Sequence, residues 1–276
     1  MKELNFYHDN FQNFKRYNIP KAQMVIADIP YNIGTDAYGS NPTWYVGGDN
    51  KNGESDKAKA AFFKNDGQFK IAEYMHFCST MLIKEPKETG KAPCMLIFCA
   101  WDQMHGLVEL AKRHGFNGCI PLTFIKNYSA QVLKANMRIV GASEYGLLFY
   151  RNKLPKFNND GKMVFDWMEY ERDTKTPKIH PTQKPIPLLK KLIRLFTDVG
   201  DVVIDPCAGS GTTLIAAEEI GRRAYGFECD TAIFNAAVKM HKEYVFAQDF
   251  ETQAEIENLR LKRAKQMSLF SGGTPA

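Results

Sequence analysis

The run Val202-Val-Ile-Asp-Pro-Cys-Ala-Gly-Ser-Gly-Thr-Thr-Leu-Ile-Ala-Ala217 reads as a strand, a glycine turn and the start of a helix. Gly209 and Gly211 let the backbone approach a ligand closely, and the first turn of a helix offers free N–H groups. A second strand follows, ending Tyr225-Gly-Phe-Glu228. An acidic side chain at that tip suits the two hydroxyls of a ribose. A dinucleotide fingerprint would require a third glycine where Leu214 stands. Asp205, just before the turn, would repel a pyrophosphate but attract a cationic ligand with an amino group. A glycine turn is also a common packing device, so generic nucleotide binding stays open.

Outward from this segment, short apolar runs alternate with stretches of three-to-four periodicity, the pattern of an α/β fold with a mostly parallel sheet. Strands are predicted at Met24–Ala27, Cys94–Cys99, Cys119–Ile125, Tyr145–Tyr150, Val202–Asp205 and Ala224–Phe227. Helices are predicted at Lys70–Lys84, Gln103–Arg113, Pro187–Thr197, Thr212–Ile220 and Thr231–Val245. With 276 residues and 44% hydrophobic content, one α/β domain with a small appendage is expected. A net charge of +5 permits a nucleic-acid partner without requiring one. The six cysteines form no C-x-x-C pair, which fits a reduced compartment rather than a disulfide framework. No apolar run approaches the roughly 18 residues that span a bilayer, and no signal core follows Met1, so no membrane partner and a cytoplasmic location are expected.

Three segments depart from the alternation. Residues 32–68 are polar and hold six glycines, which reads as a long functional loop. Residues 151–179 mix charges with Phe157, Phe165, Trp167 and Tyr170, and read as an inserted, partly irregular module or a solvated surface loop. Residues 248–276 begin as a charged helix and end in a flexible tail.

At the end of the first predicted strand stands Asp28-Ile-Pro-Tyr31. A polar residue leaving the C-terminal edge of a parallel strand points into the ligand crevice. Pro30 fixes its own backbone and restricts Ile29, giving a rigid bracket with a carboxylate, a free carbonyl and an aromatic ring. Such a bracket suits a ring amino group: the Asp28 carboxylate and the Ile29 carbonyl would hold its two hydrogens while Tyr31 stacks on the base. A strand-ending turn with a capping Asp explains the same tetrapeptide.

Together, Asp28-Ile-Pro-Tyr31 and Asp205-Pro-Cys-Ala-Gly-Ser-Gly-Thr212 resemble the two signature segments of the DNA amino-methyltransferases, the N6-adenine and N4-cytosine group. His180-Pro-Thr-Gln-Lys-Pro185 resembles the family's segment closing over the methionine part of the cofactor. The motif order resembles the beta class. The resemblance implies a Rossmann-like methyltransferase fold, circularly permuted, with a mostly parallel seven-stranded sheet and one antiparallel strand. It implies a catalytic half at 1–150, a target-recognition insert at 151–179 and a cofactor half at 180–247. S-adenosylmethionine is the implied cofactor, held by His180, Thr182, Gln183, Lys184, Asp205, Cys207, Ala208, Gly209, Ser210, Gly211, Thr212 and Glu228. Ile29 replaces the family's first proline but keeps its carbonyl, and Cys207 replaces a phenylalanine. Family tendency favours Asp at the first catalytic position for adenine, with N4-cytosine as the rival substrate and a non-catalytic DNA-binding protein as the further alternative.

By the same resemblance DNA is the partner, contacted by Lys126, Trp167 and Arg172, by a monomer or homodimer. Trp167 also reads as a core plug, and Lys126 as a strand cap. His180 as a metal ligand lacks a second ligand at suitable spacing, so no metal is expected. The tail residues Gln266, Leu269 and Phe270 resemble the short peptide by which bacterial proteins dock on the replication sliding clamp.

Overall fold

In the computed structural model the described residues are 4–30, 69–127, 131–134, 139–180 and 183–245. Tyr31, the loop at 32–68, Thr182 and the tail at 248–276 lie outside them. The described elements run β1 (Asn5–His8), β2 (Met24–Asp28), α1 (Ile71–Met81), β3 (Cys94–Cys99), a 3-10 turn (Trp101–Gln103) and α2 (Met104–Arg113). Then come β4 (Gly118–Lys126), β5 (Gln131–Lys134), β6 (Ile139–Gly141), β7 (Ser143–Tyr150), β8 (Trp167–Tyr170), α3 (Ile186–Phe196), β9 (Val202–Asp205), α4 (Thr212–Glu219) and β10 (Arg223–Glu228). A further helix, α5, occupies 231–245.

Eight strands form one sheet in the order β1-β10-β9-β2-β3-β7-β4-β8, and β5 pairs β6 in a separate hairpin. Among the described residues, β7 is the one antiparallel strand of the large sheet, paired with β3 and β4. The expected seven strands are there, with β8 added at the edge beside β4. The seam between the two halves of the chain is β2 on β9, with Met24 opposite Val203 and Val25 opposite Ile204.

The central strands are apolar throughout because helices cover both faces. Met24 and Ile26 point to one core with α3 and α4, whereas Val25 and Ala27 point to the other with α1 and α2. The segment Ile186–Phe196 is helical because Pro187 sits in its first turn and seven of its residues form one buried apolar stripe. Residues 151–158 are not a separate module. Arg151 donates to the Ser79 carbonyl in the last turn of α1 and to the Ile83 carbonyl just after it, and Asn158 to the Arg194 and Thr197 carbonyls at the end of α3.

This architecture aligns the C-terminal ends of β2, β3, β9 and β10 along one edge. Among the described residues no helix is long and apolar enough to cross a membrane.

Candidate active site

Where β2 and β9 end, a cleft of about 430 Å3, counting its open mouth, is lined by Asp28, Phe98, His180, Lys184 and the whole turn from Asp205 to Thr213 except Pro206 and Gly211. The turn follows from its glycines. Gly209 has φ 51° and Gly211 φ 74°, left-handed values that an L side chain rarely adopts, and Gly211 caps α4. The Gly209 N–H donates to Glu228 Oε2 at 3.0 Å, and the Asp230 N–H to Glu228 Oε1 at 2.7 Å. The carboxylate at the tip of β10 therefore holds the glycine turn of β9 in place. Burial raises the Glu228 pKa, against the backbone donors that lower it.

Asp205 is fully buried and receives the Cys207 N–H at 3.0 Å and the Thr213 hydroxyl. Neither donor carries a charge. Burial pushes its pKa from 3.8 up to about 7, with Asp28 and Glu228 adding repulsion. A carboxyl group in that state gains most from an arriving cation.

At the other end the charges alternate. Lys184 Nζ donates to Asp28 Oδ2 at 2.6 Å and lies 3.5 Å from Glu144 Oε2. Glu144 Oε1 in turn pairs with Lys126 Nζ at 2.5 Å. Burial alone would lower the Lys184 pKa, but Asp28 and Glu144 outweigh it and raise it. For Glu144, burial pushes upward, and Lys184 and Lys126 overcome it to leave the pKa lowered. Lys184 also sits 4.9 Å over the Phe98 ring, which favours a cation further. His180, half-buried beside Lys184 and Lys178, is pushed down to about 4 by its loss of solvent and stays neutral.

The structure brings Asp28, Asp205, Cys207, Ala208, Gly209, Ser210, Thr212, His180, Gln183 and Lys184 to one cleft, with Glu228 one hydrogen bond behind. Ser210 and Thr212 share a hydroxyl contact of 3.3 Å. Ile29 is buried, and the Pro30 carbonyl accepts from Gln103 Nε2 at 3.3 Å. Gln103, which the motif reading passed over, thereby braces the bracket from the turn after β3.

Three placements differ from expectation. Lys184 sits on Asp28, at the catalytic end rather than the nucleotide end. Gln183 spends its side chain on the Ile179 N–H and the Pro177 carbonyl, so it shapes its own loop. The Lys126 side chain is only 12% exposed and committed to Glu144. Trp167 and Arg172 are exposed, Trp167 stacked on Phe165 with centroids 5.5 Å apart. The core-plug reading of Trp167 is thus corrected: in β8 it is Met168 and Tyr170 that face the core.

Comparison with known proteins gives the following. The family model described as DNA methylase, of the N6/N4 methyltransferases, matches residues 22–239. Over 59 residues, 21% of this chain and 19% of the relative, the sequence is 51% identical to type II methyltransferase M.HindIII of Haemophilus influenzae. The first curated relatives are matched over 19%, 57% and 35% of their own lengths. Among solved structures, M1.HpyAVI in its SAM complex superposes with a TM-score of 0.61 at 22% identity, covering 86% of this chain and 99% of that one. The cytosine-N4-specific PvuII DNA methyltransferase gives 0.59 at 15% identity, covering 87% and 90%. At these identities the superpositions speak for the fold alone.

Proposed function

From the premise that the chain belongs to the N6/N4 DNA methylase family, we propose that it transfers a methyl group from S-adenosylmethionine to the exocyclic N6 of adenine in DNA. The observation that carries this reading is a single cleft lined by Asp28 and Asp205, with Glu228 holding the glycine turn from behind.

The donor set fits the cofactor. The Glu228 carboxylate, fixed at the turn, suits ribose hydroxyls. Asp205, with a pKa near 7 and only neutral donors, suits a cationic or amino group. When bound, S-adenosylmethionine supplies a methyl group whose bond electrons remain on sulfur as the amino nitrogen forms the new bond. Everything else falls to the chain. Asp28 accepts one amino hydrogen and the Ile29 carbonyl the other, which favours a pyramidal nitrogen with its lone pair free. Pro30, braced by Gln103, keeps the two acceptors in register. The proton that nitrogen sheds after transfer passes to the Asp28 carboxylate and on to solvent. Tyr31 would stack on the extruded base.

The exposed Trp167 and Arg172 support a role for residues 151–179 in target recognition. In the tail, Gln266, Leu269 and Phe270 serve as a clamp-docking peptide of about micromolar strength, tethering the enzyme to newly made DNA. Pull-down with purified clamp, full chain against Leu269→Ala/Phe270→Ala, tests that part, and equal retention removes it.

The family model spans N6 and N4 methyltransferases alike, which makes N4-cytosine the second reading. Nucleoside mass spectrometry of DNA methylated by the purified chain separates the two. N6-methyladenine supports the proposal, and N4-methylcytosine replaces it with the second.

A further inference from the structure

The alternating charges beneath Asp28 contain a residue that no motif includes. Glu144 lies in β7, two strands from β2, in a strand that is otherwise apolar from Leu147 to Phe149. Its Oε1 is taken by Lys126. Its Oε2 is buried and has Lys184 Nζ as its near cation at 3.5 Å. Lys184 is thus suspended between two carboxylates, 2.6 Å from one and 3.5 Å from the other. A buried ammonium with one partner would be costly, and so would a buried carboxylate left without a second cation beside it. The four groups Asp28, Lys184, Glu144 and Lys126 sum to zero charge, and Lys184 links the two carboxylates.

Resting on the proposed methyl transfer, we propose that Glu144 is a positioning residue: it anchors the Lys184 ammonium so that Lys184 keeps Asp28 ionised and oriented toward the cleft, and it takes up that ammonium when an Asp28 oxygen turns to the substrate amino group. Asp28 needs such help because Asp205 lines the same cleft and the two carboxyl groups repel each other. The groups that bear on Lys184 are Asp28 from β2, Glu144 from β7 and His180 from its own loop, with Lys126 and Tyr170 acting on Glu144. His180 is neutral at working pH, so the balance between the two carboxylates decides the position of the ammonium.

The test is Glu144→Gln, which keeps shape and removes charge, read by three measurements on the full-length chain. Single-turnover methyl transfer to DNA should slow by about 10- to 100-fold, the scale of a misplaced reacting group. S-adenosylmethionine affinity, by calorimetry, should stay within about twofold, because Glu144 does not line the nucleotide end. The Lys184 Nζ resonance, titrated by NMR, should lose its proton at lower pH than in the wild type, and the alkaline limb of the rate should move down with it. A fall in thermal stability with neither the titration nor the pH profile moved overturns the inference, as does a moved titration with an unchanged rate. A wild-type chain that transfers no methyl overturns the proposed function as well, whereas an active wild type with an indifferent variant removes only this inference.

Discussion

Asp28 and Asp205 end neighbouring strands and face one cleft, but their surroundings differ. Lys184 reaches Asp28 at 2.6 Å, and beyond it Glu144 and Lys126 continue the alternation. Asp205 has a backbone N–H and a hydroxyl, and burial drives its pKa to about 7. The same side chain is thus kept as a carboxylate at one end and left short of positive charge at the other. An ionised acceptor suits a neutral amino group whose hydrogens must be held. A carboxyl group wanting a cation suits a positively charged ligand. The contrast is set by the partners that tertiary structure delivers, and removing those partners one at a time tests it.

The largest expected effect on stability comes from Lys184→Met. It strips the cation from between Asp28 and Glu144 and should cost about 3 kcal/mol, because a buried charge loses its counter-charge. Denaturant unfolding at neutral pH measures this. A neutral result would mean that the alternating charges contribute nothing, and the contrast with Asp205 would fall.

Glu228→Ala should weaken S-adenosylmethionine binding by roughly 1–3 kcal/mol through lost charge-assisted hydrogen bonds. The turn also loses its hold on the Gly209 N–H. An unchanged dissociation constant would leave Glu228 as a strap for the turn alone.

Asp205→Asn sharpens the comparison in the opposite direction. The folded chain keeps a proton on Asp205 up to about pH 7, whereas the unfolded chain releases it near 3.8. The stability this group contributes is therefore complete below 3.8 and is lost as pH rises through about 7. At pH 8 the asparagine variant should unfold at a higher temperature than the wild type, while near pH 4 the two should converge. Its cofactor affinity should be lower and nearly independent of pH, whereas wild-type affinity should rise between about pH 6 and 8 as the carboxylate forms. Scanning calorimetry and titration calorimetry give the two readings, and an Asp205→Asn chain less stable at pH 8 would contradict the assignment.

The smallest effect belongs to the surface. If Arg172 touches a phosphate, Arg172→Ala should reduce the log–log salt slope of DNA binding by about one. An identical slope removes Arg172 from the footprint.

Much of this fold could be read from residue order. The strands β2, β3 and β9 are covered on both faces, so each is a continuous apolar run bounded by polar residues, and their predicted limits differ from the observed ones by one residue at most. The edges were less legible. Asn5–His8 has three half-buried residues and an exposed His8, and the strand exists because β10 offers a partner. Trp167–Tyr170 alternates out and in as a strand should, but for one pair of turns only and amid charges. The helix predicted to Lys84 stops at Met81, where Leu82 turns extended to make room for the chain's return to the sheet. At the site, Asp28, Asp205 and Glu228 were legible because strand ends and glycine turns constrain local sequence. Glu144 was not, since a lone acid in an apolar strand acquires meaning only when β7 carries it beneath Lys184. Lys126 and Lys184 were misplaced for the same reason: the destination of a long cationic side chain is decided by where its counter-charge lies.

The central claim is that the two ends of the cleft do separate work, Asp28 on the acceptor amino group and the Asp205–Glu228 end on the cofactor. Its most direct test is a single-turnover transfer of tritiated methyl from prebound S-adenosylmethionine to DNA by the Asp28→Ala chain. The account predicts cofactor bound within about twofold of wild-type affinity and transfer reduced by at least about a thousandfold. Wild-type transfer by that variant, or loss of its cofactor binding, would contradict it.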